Sequence, residues 1–175
     1  MQTLVDAYEA IRAFLELGGP ILRLIGVVIL VMWILILERL IYYRTGMKAQ
    51  LRSALAEWES RNERKSWHAH MVRARLISRA KMAAEFGLPM IQTLVALCPL
   101  FGLMGTVTGM IQVFEVMAMQ GTSNARSMAA GVSRATVPTM AGMVGALSGV
   151  FFVTILTRTA KRSVNFLEDE MTMDH

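Results

Sequence analysis

The sequence predicts an all-helical membrane protein with three transmembrane helices, and three observations predict it. Apolar residues make up 54% of the chain and charged residues only 18%, where soluble domains sit nearer a quarter charged. The charges avoid three segments: 21–37, where Arg23 is the only one, and 86–114 and 135–157, which carry none. Lysine and arginine are concentrated in one of the connections. A hydrocarbon core about 30 Å thick needs ~20 apolar residues of helix. The second and third segments meet that length, and the first is short.

Residues 1–20 place Leu4, Tyr8, Ile11, Phe14 and Leu15 close to helical spacing, which predicts an amphipathic helix on the outer membrane surface. Gly18-Gly19-Pro20 then breaks it. The first span, 21–37, begins next, and Arg23 lies near enough to its end to snorkel to the headgroups. A signal peptide would begin with a short basic region. Here Asp6, Glu9 and Glu16 precede the span and Glu38-Arg39 follow it, so it reads as a retained helix.

The segment 38–85 carries eleven basic residues: Arg39, Arg44, Lys48, Arg52, Arg61, Arg64, Lys65, Arg73, Arg75, Arg79 and Lys81. Only Arg12 precedes the first span, and only Arg126 and Arg134 lie in the 115–134 turn. Basic loops resist translocation. The N-terminus is therefore predicted outside, 38–85 inside, the turn outside and the 158–175 tail inside. The same asymmetry accounts for the net charge of +5 as a topology signal rather than a nucleic-acid footprint. Within 38–85, Met47, Leu51, Leu55 and Trp58 form a helical stripe. Met71, Ala74 and Ser78 continue a weaker one after a polar break at 60–65, so one or two helices are expected to lead into the second span.

The spans 86–114 and 135–157 are more than anchors. The first of them carries Gly102, Gly105 and Gly109; the second carries Gly142, Gly145 and Gly149. Small residues let helix backbones approach closely in lipid, and three spans offer few partners, so packing against further copies of the chain is expected. The alternative is that these glycines only hold the hairpin together. Pro99 and Pro138 each remove a backbone donor and can kink a helix. Thr106 lies nine residues before Glu115, about 13 Å along a helix, and Thr139 five residues after Arg134, roughly 7–8 Å. Both hydroxyls thus fall in the outer half of the membrane. They could line a polar interior, or they could bond back to their own helices.

No Asp, Glu, His or Lys lies within 86–114 or 135–157. A proton path normally needs a titratable carrier, so a proton-handling role would take its carboxylate from a partner helix. No nucleophile–base pair or phosphate loop is present, and neither enzyme activity nor a cofactor is expected. Cys98 is the only cysteine, and His68 and His70, two apart, face different sides of a helix, so no metal site is expected.

The run Pro99-Leu100-Phe101-Gly102-Leu103-Met104-Gly105-Thr106-Val107-Thr108-Gly109-Met110-Ile111, with Phe114 beyond it, resembles the second-span signature of the ExbB/TolQ/MotA proton-channel family. Ala130-Gly131-Val132-Ser133, then Thr139 and Gly142, resemble the start of that family's third span. The likeness covers roughly residues 90–157. It implies a homopentameric channel in the Gram-negative inner membrane, N-terminus periplasmic and C-terminus cytoplasmic, whose second and third spans line a pore. It further implies an ExbD-like one-span partner that supplies an aspartate, and a TonB-like protein through which outer-membrane import of iron chelates or similar cargo is energised. Thr106 and Thr139 match the family's pore threonines. ExbB and TolQ proteins usually carry a glutamate shortly before the third-span threonine; here that position is Arg134, which with Glu115 is expected at the outer pore mouth. The short 38–85 segment and the run 131–136 look most like compact ExbB-type subunits. A TolQ-like subunit is the first alternative. A MotA-like stator is disfavoured by its four spans, and a passive scaffold is the alternative of another class.

Overall fold

The computed structural model describes residues 6, 9, 12, 18–60, 66–120 and 125–172. Its regular elements are all helices: α1 (Gly19–Arg44), α2 (Gly46–Glu59), α3 (Trp67–Glu85), α4 (Leu88–Gln120) and α5 (Ala125–Glu170). Three helical runs are long and apolar enough to cross a membrane: Gly19–Glu59, Trp67–Met119 and Met128–Glu170, with mean hydropathies of 2.7, 1.9 and 1.9 over their most apolar windows. The amphipathic segment expected before residue 18 and the tip of the 115–134 turn lie largely outside the described residues.

The helices outrun the apolar segments. α5 has 46 residues, about 69 Å at 1.5 Å per residue, against a hydrocarbon core of about 30 Å. The reason is local. Arg158, Lys161, Arg162, Glu168 and Glu170 end the apolar run, but Arg, Lys and Glu are strong helix formers, so the backbone continues. Likewise α4 begins at Leu88, two residues after Phe86, because Gly87 sits at φ +77°. That left-handed conformation separates α3 from α4 and suits a residue without a Cβ.

The chain divides into two compact units, 1–33 with 93–150 and 34–92 with 151–175. In the first, α4 and α5 pack antiparallel. Gly109 meets Ala135, Gly102 meets Thr139, Gly142 meets the Cys98 carbonyl and Gly149 meets Val95. α1 lies parallel to α5, with Ile29 against Gly145 and Met32 against Gly149. Leu22, Ile25, Met32, Cys98 and Pro138 are fully or almost fully buried there.

In the second unit, Ala54 and Trp58 of α2, Ala69, Leu76 and Ala80 of α3, and Leu167 and Met171 at the end of α5 form one buried cluster. Arg73 closes it. Its Nε donates to the Met171 carbonyl (2.8 Å) and its Nη2 to the Glu168 carbonyl (2.7 Å), satisfying acceptors that a helix C-terminus leaves open. The Tyr43 hydroxyl donates to the Ala84 carbonyl. Burial pushes the Tyr43 pKa up, and the nearby Arg39 charge partly opposes it. The Arg39 guanidinium is itself buried, 5.3 Å from the Tyr42 ring centre and 4.9 Å from that of Phe86, within cation–π range. Ser66 caps α3, accepting from the Ala69 amide.

Candidate functional site

The residues singled out on α4 and α5 meet in the first unit. Gly102, Gly105 and Gly109 recur every three to four residues and so occupy one face of α4. α5 turns Pro138, Ala135 and Thr139 toward that face. A Cβ on Gly102 would stand 3.0 Å from the Thr139 Cα, and one on Gly109 2.8 Å from the Ala135 Cα. On the other helix a Cβ on Gly142 would stand 2.5 Å from the Cys98 carbonyl oxygen. Backbone therefore touches backbone along most of this contact. Gly145 and Gly149 face α1 through Ile29 and Met32 as well as α4. Within this unit the small faces pack one helix of the chain against another.

The close approach decides where the hydroxyls go. Thr139 Oγ1 donates across the helix pair to the Gly102 carbonyl at 2.9 Å. That carbonyl is also the one the α-helical ladder pairs with the Thr106 amide, so one oxygen links the backbone of Thr106 to the side chain of Thr139. The other hydroxyls turn inward on their own helices: Thr106 to the Leu103 carbonyl (2.7 Å), Thr108 to those of Met104 and Gly105, Thr136 to Ser133 and Ser148 to Gly145. Thr106 thus takes the local i−3 bond of a hydroxyl that folds back on its own helix. Thr106 and Thr139 are both half-buried.

Pro138 is fully buried and packs at Gly105. Because it has no N–H, it leaves the Arg134 carbonyl without its ladder donor, as Pro99 leaves that of Val95. From Gly105 onward a crevice of about 590 Å³ opens between the start of α1 and the two antiparallel helices, with Thr108, Gln112 and Arg134 among its polar lining residues. Gln112 was not singled out by the sequence reading. The signal was available, since it follows Thr108 by four residues on the same helical face. Glu115 and Arg134 are both exposed. Among the described residues no group of three or more His, Cys, Asp or Glu is placed to hold a metal ion.

The model of the MotA/TolQ/ExbB proton channel family matches residues 43–169. Among curated relatives, two from Synechocystis sp. are described as biopolymer transport proteins. ExbB-like 1 is 31% identical over 100 residues, 53% of this chain and 39% of the relative. ExbB-like 3 is 30% identical over 81 residues, 45% of this chain and 39% of the relative. The matched stretch thus spans about two fifths of the length of either relative.

Proposed function

Since the chain belongs to the MotA/TolQ/ExbB proton channel family, we propose that it is an ExbB-like subunit of a proton-driven motor in the inner membrane of a Gram-negative bacterium. In this reading copies of the chain assemble, as a pentamer, around the membrane helices of an ExbD-like partner. Thr106 and Thr139 line the enclosed path, and Glu115 and Arg134 flank its outer mouth. The motor works on a TonB-like protein to energise import across the outer membrane.

The observation that carries the reading is the junction at the Gly102 carbonyl. It ties Thr139 to the backbone of Thr106 in a stretch of two helices free of acidic residues. A threonine hydroxyl does not titrate at physiological pH, so it conducts nothing alone. It can donate and accept hydrogen bonds, which suits it to solvate and orient a carboxyl group supplied by another chain. A carboxyl crossing an apolar environment needs such partners, because an isolated buried charge is costly. Pro99 and Pro138 add to this by leaving carbonyl acceptors within the same helix pair.

Replacing Thr106 and Thr139 by Val tests the reading. In cells that also express the partner subunits, uptake of an iron chelate should fall to the level seen with the proton gradient collapsed, while assembly is retained. Unchanged uptake would leave a scaffold as the better account. Sensitivity to detergent and bile salts, measured in parallel, separates the TolQ-like alternative: there envelope integrity fails and uptake does not. The short segment between the first two spans and the ExbB-like relatives favour the first outcome.

A further inference from the structure

α3 carries two apolar faces, and among the described residues only one is covered. Ala69, Leu76 and Ala80 face the buried cluster of the second unit. On the opposite side Trp67, Met71, Ala74, Ser78 and Met82 follow one another at spacings of 4, 3, 4 and 4, a continuous helical seam. Trp67 is 71% exposed, Met71 53% and Met82 63%. α2 has the same duality. Ala54 and Trp58 are buried, while Ala49, Ser53, Ala56 and Ser60, spaced 4, 3 and 4, are exposed.

We propose that the outer seam of α3 docks on the outer seam of α2 from a second copy of this chain. The proposal rests on the homo-oligomeric reading above and gives it a contact outside the membrane-spanning helices. The spacings specify the register. Run antiparallel, the 4-3-4 pattern of one helix mirrors that of the other, so a single alignment pairs Trp67 with Ser60, Met71 with Ala56, Ala74 with Ser53 and Ser78 with Ala49. Trp67 and Met71 of the α3 seam each meet a small residue, the requirement for a knob entering a hole.

Two pairs of flanking groups agree with the same register. His68 and His70 stand on opposite sides of the α3 seam, and Glu57 and Glu59 on opposite sides of the α2 seam; all four are exposed. The alignment brings Glu57 beside His68 and Glu59 beside His70, each offset by about 3 Å along the axis. The wider α3 face, with Arg75, Arg79 and Lys81, is basic, and the last turn of α2 is acidic. Burial of this face in lipid is ruled out by the same charges, which hydrocarbon does not accommodate. The α2 of the same copy is already engaged through the opposite face of α3. Because one surface meets a different surface, the contact is head-to-tail, the kind that closes into a ring when the rotation permits.

Disulfide trapping in membranes tests this. One chain carries Met71→Cys and one affinity tag, a co-expressed chain carries Ala56→Cys and another tag, and copper-phenanthroline is the oxidant. A second pair, Ala74→Cys with Ser53→Cys, repeats the test with smaller changes. The pairing Met71→Cys with Ala49→Cys, about 10 Å out of register, is the control, and chains with only the native Cys98 set the baseline. A dimer bearing both tags should form at least tenfold above control for both in-register pairs. The native mass of the unsubstituted chain in lipid nanodiscs separates the two possible failures. If the chain is oligomeric and neither in-register pair exceeds the control, the seam assignment is wrong and the homo-oligomer stands. If the chain is a monomer, both fall.

Discussion

Thr139 and the glycine opposite it illustrate how much depends on single atoms here. An interhelical hydrogen bond in a membrane protein contributes on average about 0.6 kcal/mol. Thr139→Val should therefore lower the thermal midpoint in detergent only slightly, as followed by circular dichroism. If energised uptake is abolished by a change that costs so little stability, the hydroxyl serves the proposed transport step rather than the fold. Thr139→Ser, which keeps the donor, should retain most uptake. Gly142 is the opposite case. A Cβ there would stand 2.5 Å from the Cys98 carbonyl oxygen, and backbone cannot step aside as a side chain can. Gly142→Ala is expected to destabilise the chain by about 1–3 kcal/mol, the range for overpacking. Gly26 lies inside α1 with nothing within 4 Å of the added Cβ. Gly26→Ala should be neutral or stabilise by up to about 1 kcal/mol through helix propensity. Comparison of the two melting curves checks both.

At the scale of elements, two contacts hold helix ends. The bonds from Arg73 to the Met171 and Glu168 carbonyls anchor the last turn of α5 to α3. Arg73→Met keeps much of the apolar stem and removes both bonds. Hydrogen exchange should rise in the amides of roughly the last two turns of α5 and stay unchanged near Thr139; uniform protection throughout would show that the clamp is not needed. The junction between α3 and α4 depends on Gly87 at φ +77°, where an added Cβ would also stand 3.0 Å from Arg39 Nε. A left-handed residue with a Cβ costs roughly 1–2 kcal/mol, so Gly87→Ala should destabilise by at least that, read from the thermal midpoint. Tyr43 lies close by, and its burial raises its pKa. A group whose folded pKa lies above its unfolded value contributes stability that is intact below the unfolded pKa, about 10, and lost as pH rises through the folded pKa. The Tyr43 contribution should hold across the physiological range and fade only in strong alkali. Tyr43→Phe should remove that alkaline dependence, measured as the thermal midpoint between pH 8 and pH 11.

For the whole molecule, the distribution of charge and apolar surface decides what the chain can do alone. α4 exposes Leu100, Leu103, Val107, Ile111 and Phe114, and α5 exposes Met140, Met143, Val144, Leu147 and Phe151. Such faces stay exposed only in lipid or against other helices. In the first unit the glycine faces meet α1, α4 and α5 of the same chain.

Composition and periodicity determined the all-helical class and the three apolar runs, and the motif over 99–111 carried the family likeness. Those properties are local: transfer of a side chain into lipid and the spacing of a motif along one helix depend on the chain itself. Which atom a hydroxyl would choose does not follow from them: Thr106 and Thr139 stand between lining a polar interior and bonding back to their own helices. The choice turns on the register of two helices to within a fraction of a turn, and register is set by the contacts at Gly102, Gly109 and Gly142 together. The weak stripe of Met71, Ala74 and Ser78 was visible in the sequence as apolar positions. Only the packing of Ala69, Leu76 and Ala80 on the opposite side revealed that the described residues leave this stripe uncovered. Periodicity tells how many faces a helix has, and the partner that covers each face is decided by tertiary structure.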